Sequence, residues 1–323
     1  MSRTVAVIRG GPSSRFAESL KTGKAVGAAL LAKGFRIIDV VVDQAGQWLR
    51  GGKPVTPREA TRGADVAWNA AHGEFGEDGQ LQRTLRQMNL PYTGPSPVAG
   101  ALSLAKHHAR EVLARAGVRV PAGIFVARQE ESSPEAVASA VFRAVPMPAV
   151  VKPATGGFSK GVTVVSTYPE LVSALTAAFE AGQRAVIEEL IVGREATVGL
   201  LEGFRGEALY CVPAAEVCLP KGERVLSEAA KRAGVKMVCP GRFSEAERLA
   251  IYDAARRAHE ALGLRHLSRV DLIVHPKRGV FVLEVNGNPE LGAGERLPRA
   301  IEAIGADLGQ VAEHVVGLAL SSR

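Results

Sequence analysis

Two neighbouring runs toward the end of the chain hold side chains whose chemistry and spacing belong together. Residues 268–275 (SRVDLIVH) and 280–286 (VFVLEVN) both alternate and are rich in β-branched residues, and Pro276, Lys277, Arg278 and Gly279 separate them. That pattern predicts an antiparallel hairpin. With Val274 paired to Phe281, Asp271 lies opposite Glu284 and Arg269 opposite Asn286. Opposed residues share a face, as do residues two apart on one strand, so one face carries Arg269, Asp271, Glu284 and Asn286. Three of these offer oxygen to a hard cation such as Mg²⁺, whose coordination is usually completed by phosphate oxygens. The guanidinium beside them suits a developing negative charge. The same four residues also fit a solvated face held by a salt bridge, and the rest of the chain has to decide between the two.

A chain of 323 residues is too long for one small core and long enough for two or three packed lobes. Its 46% hydrophobic and 23% charged residues are ordinary for a soluble globular protein. No apolar run approaches membrane-spanning length, and Ser2-Arg3-Thr4 leads straight into a strand, so no span or signal peptide is expected and the expected location is cytoplasmic. Cys211, Cys218 and Cys239 make no C-x-x-C pair and read as ordinary thiols in a reducing compartment. The net charge of +7 is spread along the chain, without a basic tract or interleaved aromatics. A site for phosphate-bearing small molecules accounts for it, and no nucleic-acid partner is expected.

The hairpin needs elements to face it. Residues 4–9 (TVAVIR) form a buried parallel-type strand, 10–14 a turn, and 19–33 a helix stopped by Gly34; residues 35–42 and 65–70 are further strands. Such an α/β unit binds ligands at the C-terminal ends of its strands, although G-x-G-x-x-G is absent after the first. The third strand runs into AHGEFGEDGQLQ (71–82), whose glycines let backbone and ligand approach closely beside His72 and Glu77. A plain turn also fits, with Asp78 capping a helix over 81–88. PYTGPSP (91–97) is a rigid link into a helix over 99–116 that contains Lys106, by itself a surface lysine. In the middle of the chain, a short strand ends in Val151-Lys152-Pro153, followed by ATGGFSKG (154–161) and a second strand at 162–166. The loop can aim N–H groups at phosphate oxygens, with Lys152 favouring that reading over a simple hairpin turn; it is not a Walker A loop, because a strand follows it. AVIEELI (185–191) can present backbone to an adenine edge within an apolar slot. Residues 219–240 are irregular and lysine-rich, as a mobile lid would be. Helices at 245–262 and 308–320 flank the hairpin.

His72-Gly73 through Gly76-Glu77-Asp78-Gly79 and Gln82, then Pro91-Tyr92-Thr93-Gly94, resembles the N-terminal signature of D-alanine–D-alanine ligases. Lys106, Val151-Lys152-Pro153, the run from Glu188 to Glu195, Arg269-Val270-Asp271 and Glu284-Val285-Asn286 come in that family's order, over nearly the whole chain. The resemblance implies an α/β ATP-grasp fold in three lobes: a parallel α/β domain at 1–105, a central lobe at 106–184 and a C-terminal lobe at 185–323. It further implies ATP phosphates held by Lys106, Lys152 and the loop at Gly157 and Ser159. Glu188, Glu189 and Ile191 would frame the adenine and Glu195 hold the ribose. Asp271, Glu284 and Asn286 would bind two Mg²⁺ ions. Arg269 would stabilise the tetrahedral intermediate, with His72 and the lid's Lys231 as the other catalytic residues. Arg15, Glu77, Phe158, Glu290 and Glu295 would line the substrate subsites. The implied reaction is phosphorylation of a carboxylate by ATP and attack of an amine on the acyl phosphate. A homodimer acting on small amino-acid-like substrates in peptidoglycan synthesis is the family's pattern.

The departures cluster. Arg15 stands where the family has a glutamate for the first D-alanine's ammonium, and Phe158-Ser159 replaces a serine pair. Arg232 replaces a tyrosine, and Gly287-Asn288-Pro289-Glu290-Leu291-Gly292 replaces Thr-x-Pro-Gly-Met-Thr. Glu295-Arg296 replaces the Ser-Leu that binds the second carboxylate. The nucleotide and metal positions are kept while the amino-acid positions change together. An arginine at the first subsite favours an anionic or acylated group, and a glutamate at the second a cationic one; a shift of the loop by a few residues would instead bring Glu18 into the first subsite. Two other readings stay open: D-alanine–D-alanine ligase itself, and an inactive nucleotide-binding paralogue, against which the intact Arg269 and metal trio argue.

Overall fold

The computed structural model describes residues 2–127, 133–154, 161–180, 184–220, 222–226 and 235–321. Their strands fall into three sheets. In the first, Thr4–Gly10 lies between Arg36–Val42 and Val66–Asn69, all parallel, with Trp48–Arg50 and Lys53–Pro54 as an antiparallel extension. Alternate residues of the central strand enter different cores, as a parallel sheet covered on both faces requires. Ala6 and Ile8 pack with Leu81 and Leu85 of the helix Gln80–Gln87. Val5 and Val7 pack with Val26 and Leu30 of the helix Phe16–Ala32, and also with Leu297, Val311 and Val315. Those last three come from the helices Arg296–Glu302 and Leu308–Ser321, so the end of the chain completes the core of its beginning.

The second sheet runs Gly123–Val126, Ala185–Glu189, Ala149–Pro153, Thr163–Val165 in spatial order and is antiparallel throughout. The helices Pro134–Ala144 and Tyr168–Glu180 bury Val141, Leu171 and Leu175 against Ile187 and Val151 on one face only. The strand Ala185–Glu189 therefore belongs to the central sheet, and by sheet membership the central lobe extends past the expected 184/185 division to Glu189.

The third sheet places Lys236–Val238, Ala215–Cys218, Arg194–Glu202, Leu267–His275 and Gly279–Asn286 side by side, with Leu209–Cys211 also paired to Arg194–Glu202. The helix Glu245–Ala261 packs Ile251, Ala255 and Ala258 against Val198, Val270 and Val282 on one side. Its start is fixed by a reciprocal capping box between Ser244 and Glu247. The opposite side of this sheet, carrying Thr197, Arg269 and Asp271, is left for the site.

Two local expectations change. The helix expected over 99–116 is two helices, Pro97–Leu104 and Lys106–Arg115, broken at Ala105 with ψ 88°. Lys106 is consequently the first residue of a helix rather than a mid-helix surface lysine. The helix after the glycine-rich loop is capped by Gly79 at φ 91°, not by Asp78, although Asp78 Oδ1 still accepts from Gln80 N at 2.9 Å. The cysteines described are free thiols, and burial pushes Cys211 up to about 11, outside any nucleophilic range at neutral pH. Among the described residues no helix is long and apolar enough to cross a membrane.

A buried polar knot joins first and last lobes. Arg265 Nε donates to Gly94 O at 2.7 Å, and Gly94 N donates to His266 Nδ1 at 3.1 Å. Accepting there fixes the proton of the neutral ring on Nε2, which is buried and meets no acceptor among the described residues. Burial, with Arg265 nearby, lowers the His266 pKa from 6.5 to about 4. An unfolded histidine protonates first as the pH drops, so this stability is complete above 6.5 and is lost as the pH falls toward 4. The expected loss is roughly 2–3 kcal/mol. Urea midpoints measured between pH 7.5 and 4 should show it, and His266→Asn, which tolerates the residue's φ of 68°, should flatten that acid limb.

Candidate active site

The hairpin Leu267–His275/Gly279–Asn286 delivers the expected pairs, Asp271 opposite Glu284 and Arg269 opposite Asn286. Its outer half differs from the sequence reading. Val274 pairs with Val280, not Phe281, and Ile273 pairs with Phe281. The connection is the shorter Pro276-Lys277-Arg278, with His275 opposite Gly279 at φ 80°. The two registers are reconciled by a bulge: Asp271 faces Glu284 and Leu272 faces Val282, leaving Leu283 as the extra residue. Val282 and Val285 stay in the core under the helix Glu245–Ala261, while Leu283 packs with Ile191, Ile273 and Phe281 in a separate apolar cluster. The site face is thus charged at its inner end and apolar at its outer end. Sequence reading found Ile191 but missed Ile273, Leu283 and Phe281, because the bulge hides the change of phase.

The charged end is a chain of ion pairs. Arg269 donates to Asp271 at 3.1 and 3.2 Å, and Thr197 Oγ1 donates to Asp271 at 2.6 Å. Arg296 reaches the same carboxylate at 3.3 Å. Its approach depends on Gly199, opposite Arg269 in the register, where a Cβ would stand 2.2 Å from Leu297 Cδ1. Arg269 also bonds Glu290, whose other oxygen bonds Arg15. Arg15 faces Glu77 at 3.7 Å, and His72 faces Glu77 at 3.3 Å. Burial opposes charge on Glu290, but Arg269 and Arg15 hold its carboxyl well below the usual range. Burial and the neighbouring Glu290 push Glu295 up. The loops meet closely because Gly73, at φ 71°, has no Cβ; one would lie 2.5 Å from Ser13 Oγ and 3.3 Å from Arg15 Cγ.

The facing wall is the central lobe. Glu188 and Lys152 project from adjacent strands and pair at 2.5 Å. Lys106, at its helix start, meets Glu284 at 3.2 Å. Lys106, Glu188, Leu283 and Glu284 line one cavity between the helix Lys106–Arg115 and the strand Gly279–Asn286. Glu195, two residues before Thr197, shares the site face opposite Ile273. Glu189 is committed elsewhere: Arg278 grips its carboxylate at 2.7 and 2.9 Å, and Ala122 N donates to it at 3.0 Å.

Several expectations are corrected. His72 is fully buried between Glu77 and Thr22, 2.8 Å from Thr22 Oγ1, so it props Glu77 instead of touching reactants. Arg15 faces two carboxylates, those of Glu77 and Glu290. Among the described residues no hydrogen bond or ion pair brings Glu18, half-buried in the first helical turn, to these groups, whereas Arg15 reaches Glu290. Gly157, Phe158, Ser159 and Lys231 lie outside the described residues. Among the described residues no three of His, Cys, Asp and Glu gather into a ready cation cage. A cation at Asp271 and Glu284 would thus draw on Asn286 and ligand oxygens, which is how Mg²⁺ is usually held beside phosphates. Asn286 Oδ1 is already oriented by Asn288 N at 2.9 Å. The donor set fits a hard cation.

Two sheets gripping a cleft, with lysines on one wall and an acid–amide–guanidinium face on the other, define an ATP-grasp carboxylate–amine ligase. The family model described as D-ala D-ala ligase C-terminus matches residues 112–317. The chain belongs to the D-alanine–D-alanine ligase family. It is 34% identical over 310 residues to the D-alanine–D-alanine ligase of Citrifermentans bemidjiense, covering 96% of this chain and 93% of that one. With that of Pelotomaculum thermopropionicum it shares 32% over 326 residues, covering 100% and 98%. Among solved structures it is similar to the VanG D-Ala:D-Ser ligase from Enterococcus faecalis, with a TM-score of 0.85, 26% identity and coverage of 99% and 100%. The D-alanine–D-alanine ligase from Coxiella burnetii, at 22% identity, has the same fold with a TM-score of 0.85.

Removing one partner from a buried ion network leaves the others uncompensated. Arg269→Met should therefore destabilise the fold by about 3–5 kcal/mol, measured by urea denaturation, as well as stopping any turnover. Unchanged stability would mean that the network is not desolvated.

Proposed function

We propose that this ligase is ATP- and Mg²⁺-dependent, acts through an acyl phosphate, and takes a substrate pair other than two D-alanines. The observation that carries the nucleotide reading is the shared cavity of Lys106, Glu188, Leu283 and Glu284, continuous in sequence register with the apolar cluster of Ile191, Ile273 and Phe281. The adenine would lie against that cluster, with Glu195 toward the ribose. Lys106 and Lys152 would neutralise the phosphates, and Asp271, Glu284 and Asn286 would hold two Mg²⁺ ions. Bound there, the metal supplies charge neutralisation on the transferring phosphoryl group. Arg269 meets the oxyanion as the amine attacks, and its buried setting strengthens that interaction. Phosphates and metal would take over the partners that Glu284, Lys106 and Lys152 now share. Gly157 and Ser159 would add loop contacts, and Lys231 would come with the lid over 219–240, which excludes water from the reactive acyl group. The protein would act in the cytoplasm, as a homodimer, on small amino-acid-like substrates.

The changed substrate pair is supported by Arg15, Glu290 and Glu295, which stand together around the subsites. Glu295 beside Glu290 favours a cationic group at the second subsite, since a cation relieves the crowding of two carboxylates. A second reading, D-alanine–D-alanine ligase of peptidoglycan synthesis, is favoured by the names of relatives 34% and 32% identical over nearly the whole chain. ADP release, screened over D-alanine, N-acylated, acidic and diamino substrates, separates the two. Robust D-alanyl-D-alanine formation at millimolar D-alanine would select the second.

Two variants test the nucleotide site itself. Lys152→Ala should weaken ATP binding by on the order of 2–5 kcal/mol in calorimetry, because a desolvated phosphate loses its partner. Near-normal affinity would remove Lys152 from the site. Glu284→Gln keeps the shape and loses the charge a hard cation needs, so ADP production at limiting Mg²⁺ should disappear with the thermal transition preserved.

A further inference from the structure

Glu290 joins two lobes by bonding Arg15 with one oxygen and Arg269 with the other. The side chains of all three are no more than 12% exposed. A guanidinium buried at that depth without an anion is strongly disfavoured, so Glu290 is what allows an arginine to occupy position 15. The pairing uses the ends of Arg15: Nη2 meets Glu290 and Nη1 faces Glu77. Its Nε–H is buried and meets no acceptor among the described residues. Such unpaired donors are uncommon and call for an explanation. Arg15 also lines a small cavity with Gly73, Ser103, Glu284 and Asn286, between the loops of the first lobe and the proposed metal-binding face.

We propose that Arg15 and Glu290 are one specificity unit, which fits the first substrate by a neutral hydrogen-bond acceptor, a hydroxyl or acyl carbonyl oxygen, on the carbon next to its carboxyl group. This rests on the ligase reading above and deepens it. Glu290 cancels the charge of Arg15 and fixes its fork, and an acceptor on a substrate entering the cavity that Arg15 and Glu77 line would be the partner that the buried Nε–H lacks. An ammonium fails for a reason other than plain repulsion. It has only donors, so it leaves the buried Nε–H unpaired. An anionic group, which a lone arginine would favour, gains little beside Glu290 and Glu77.

D-alanine, D-lactate and N-acetyl-D-alanine carry a carboxyl group on the same carbon skeleton and differ in the group beside it. Each is titrated by calorimetry into the full chain saturated with Mg²⁺ and a non-hydrolysable ATP analogue. D-lactate or N-acetyl-D-alanine should bind roughly ten- to hundredfold tighter than D-alanine, the value of satisfying one buried donor. Arg15→Lys keeps a cation beside Glu290 and loses the Nε–H, and should erase that preference while the melting temperature stays within a few degrees. D-alanine binding as tightly as the others, no binding by any of the three, or a preference that survives Arg15→Lys overturns the proposal. If Arg15→Lys does not fold, the order of affinities in the unaltered protein decides alone. Failure of the nucleotide analogue to bind would sink the ligase reading, whereas good nucleotide binding without discrimination among the acids sinks only this one.

Discussion

The site depends on a single break in the alternation of a β-strand. A regular strand gives one face every second residue, so Leu283 and Glu284 would point to opposite sides. The bulge at Leu283 lets both serve the cleft while Val282 and Val285 remain in the core. One short strand thereby contributes an apolar surface and a charged one, end to end. A nucleotide has this same division, an aromatic base at one end and phosphates at the other. The strand Arg194–Glu202 adds polar groups to the same face, with Glu195 opposite Ile273 and Thr197 opposite Asp271.

Charge balance is the second constraint. Arg15, Arg269 and Arg296 are drawn into a poorly solvated junction, and Glu77, Glu290 and Asp271 answer them. No member can be exchanged alone without leaving a buried charge, so Arg15 and Glu290 depend on one another. The junction also links lobes that share a core through Leu201 and Leu267 of the third sheet and through the helices Arg296–Glu302 and Leu308–Ser321. Whatever enters between Arg15 and Asn286 therefore acts on the contact between lobes as well as on the chemistry.

Sequence alone determined the hairpin and the pairing of Asp271 with Glu284 and of Arg269 with Asn286, because these follow from local periodicity; the α/β ATP-grasp architecture came from the resemblance carried by the order of motifs. The sequence also marked Lys106, Lys152 and Glu188 through the order of motifs, and the structure brings Lys106 to Glu284 and Lys152 to Glu188. What it left undecided was set by contacts distant in the chain. The break at Ala105 has no local signal in the sequence and turns Lys106 into a helix start. His72, read as catalytic, is sealed between Thr22 and Glu77, and burial of that kind has no local signature. The pairing of Arg15 with Glu290 joins residues 275 apart in the chain, a contact that no local pattern announces. Periodicity reports which way a side chain points along its own element; which charge it meets there is decided only when the lobes close on one another.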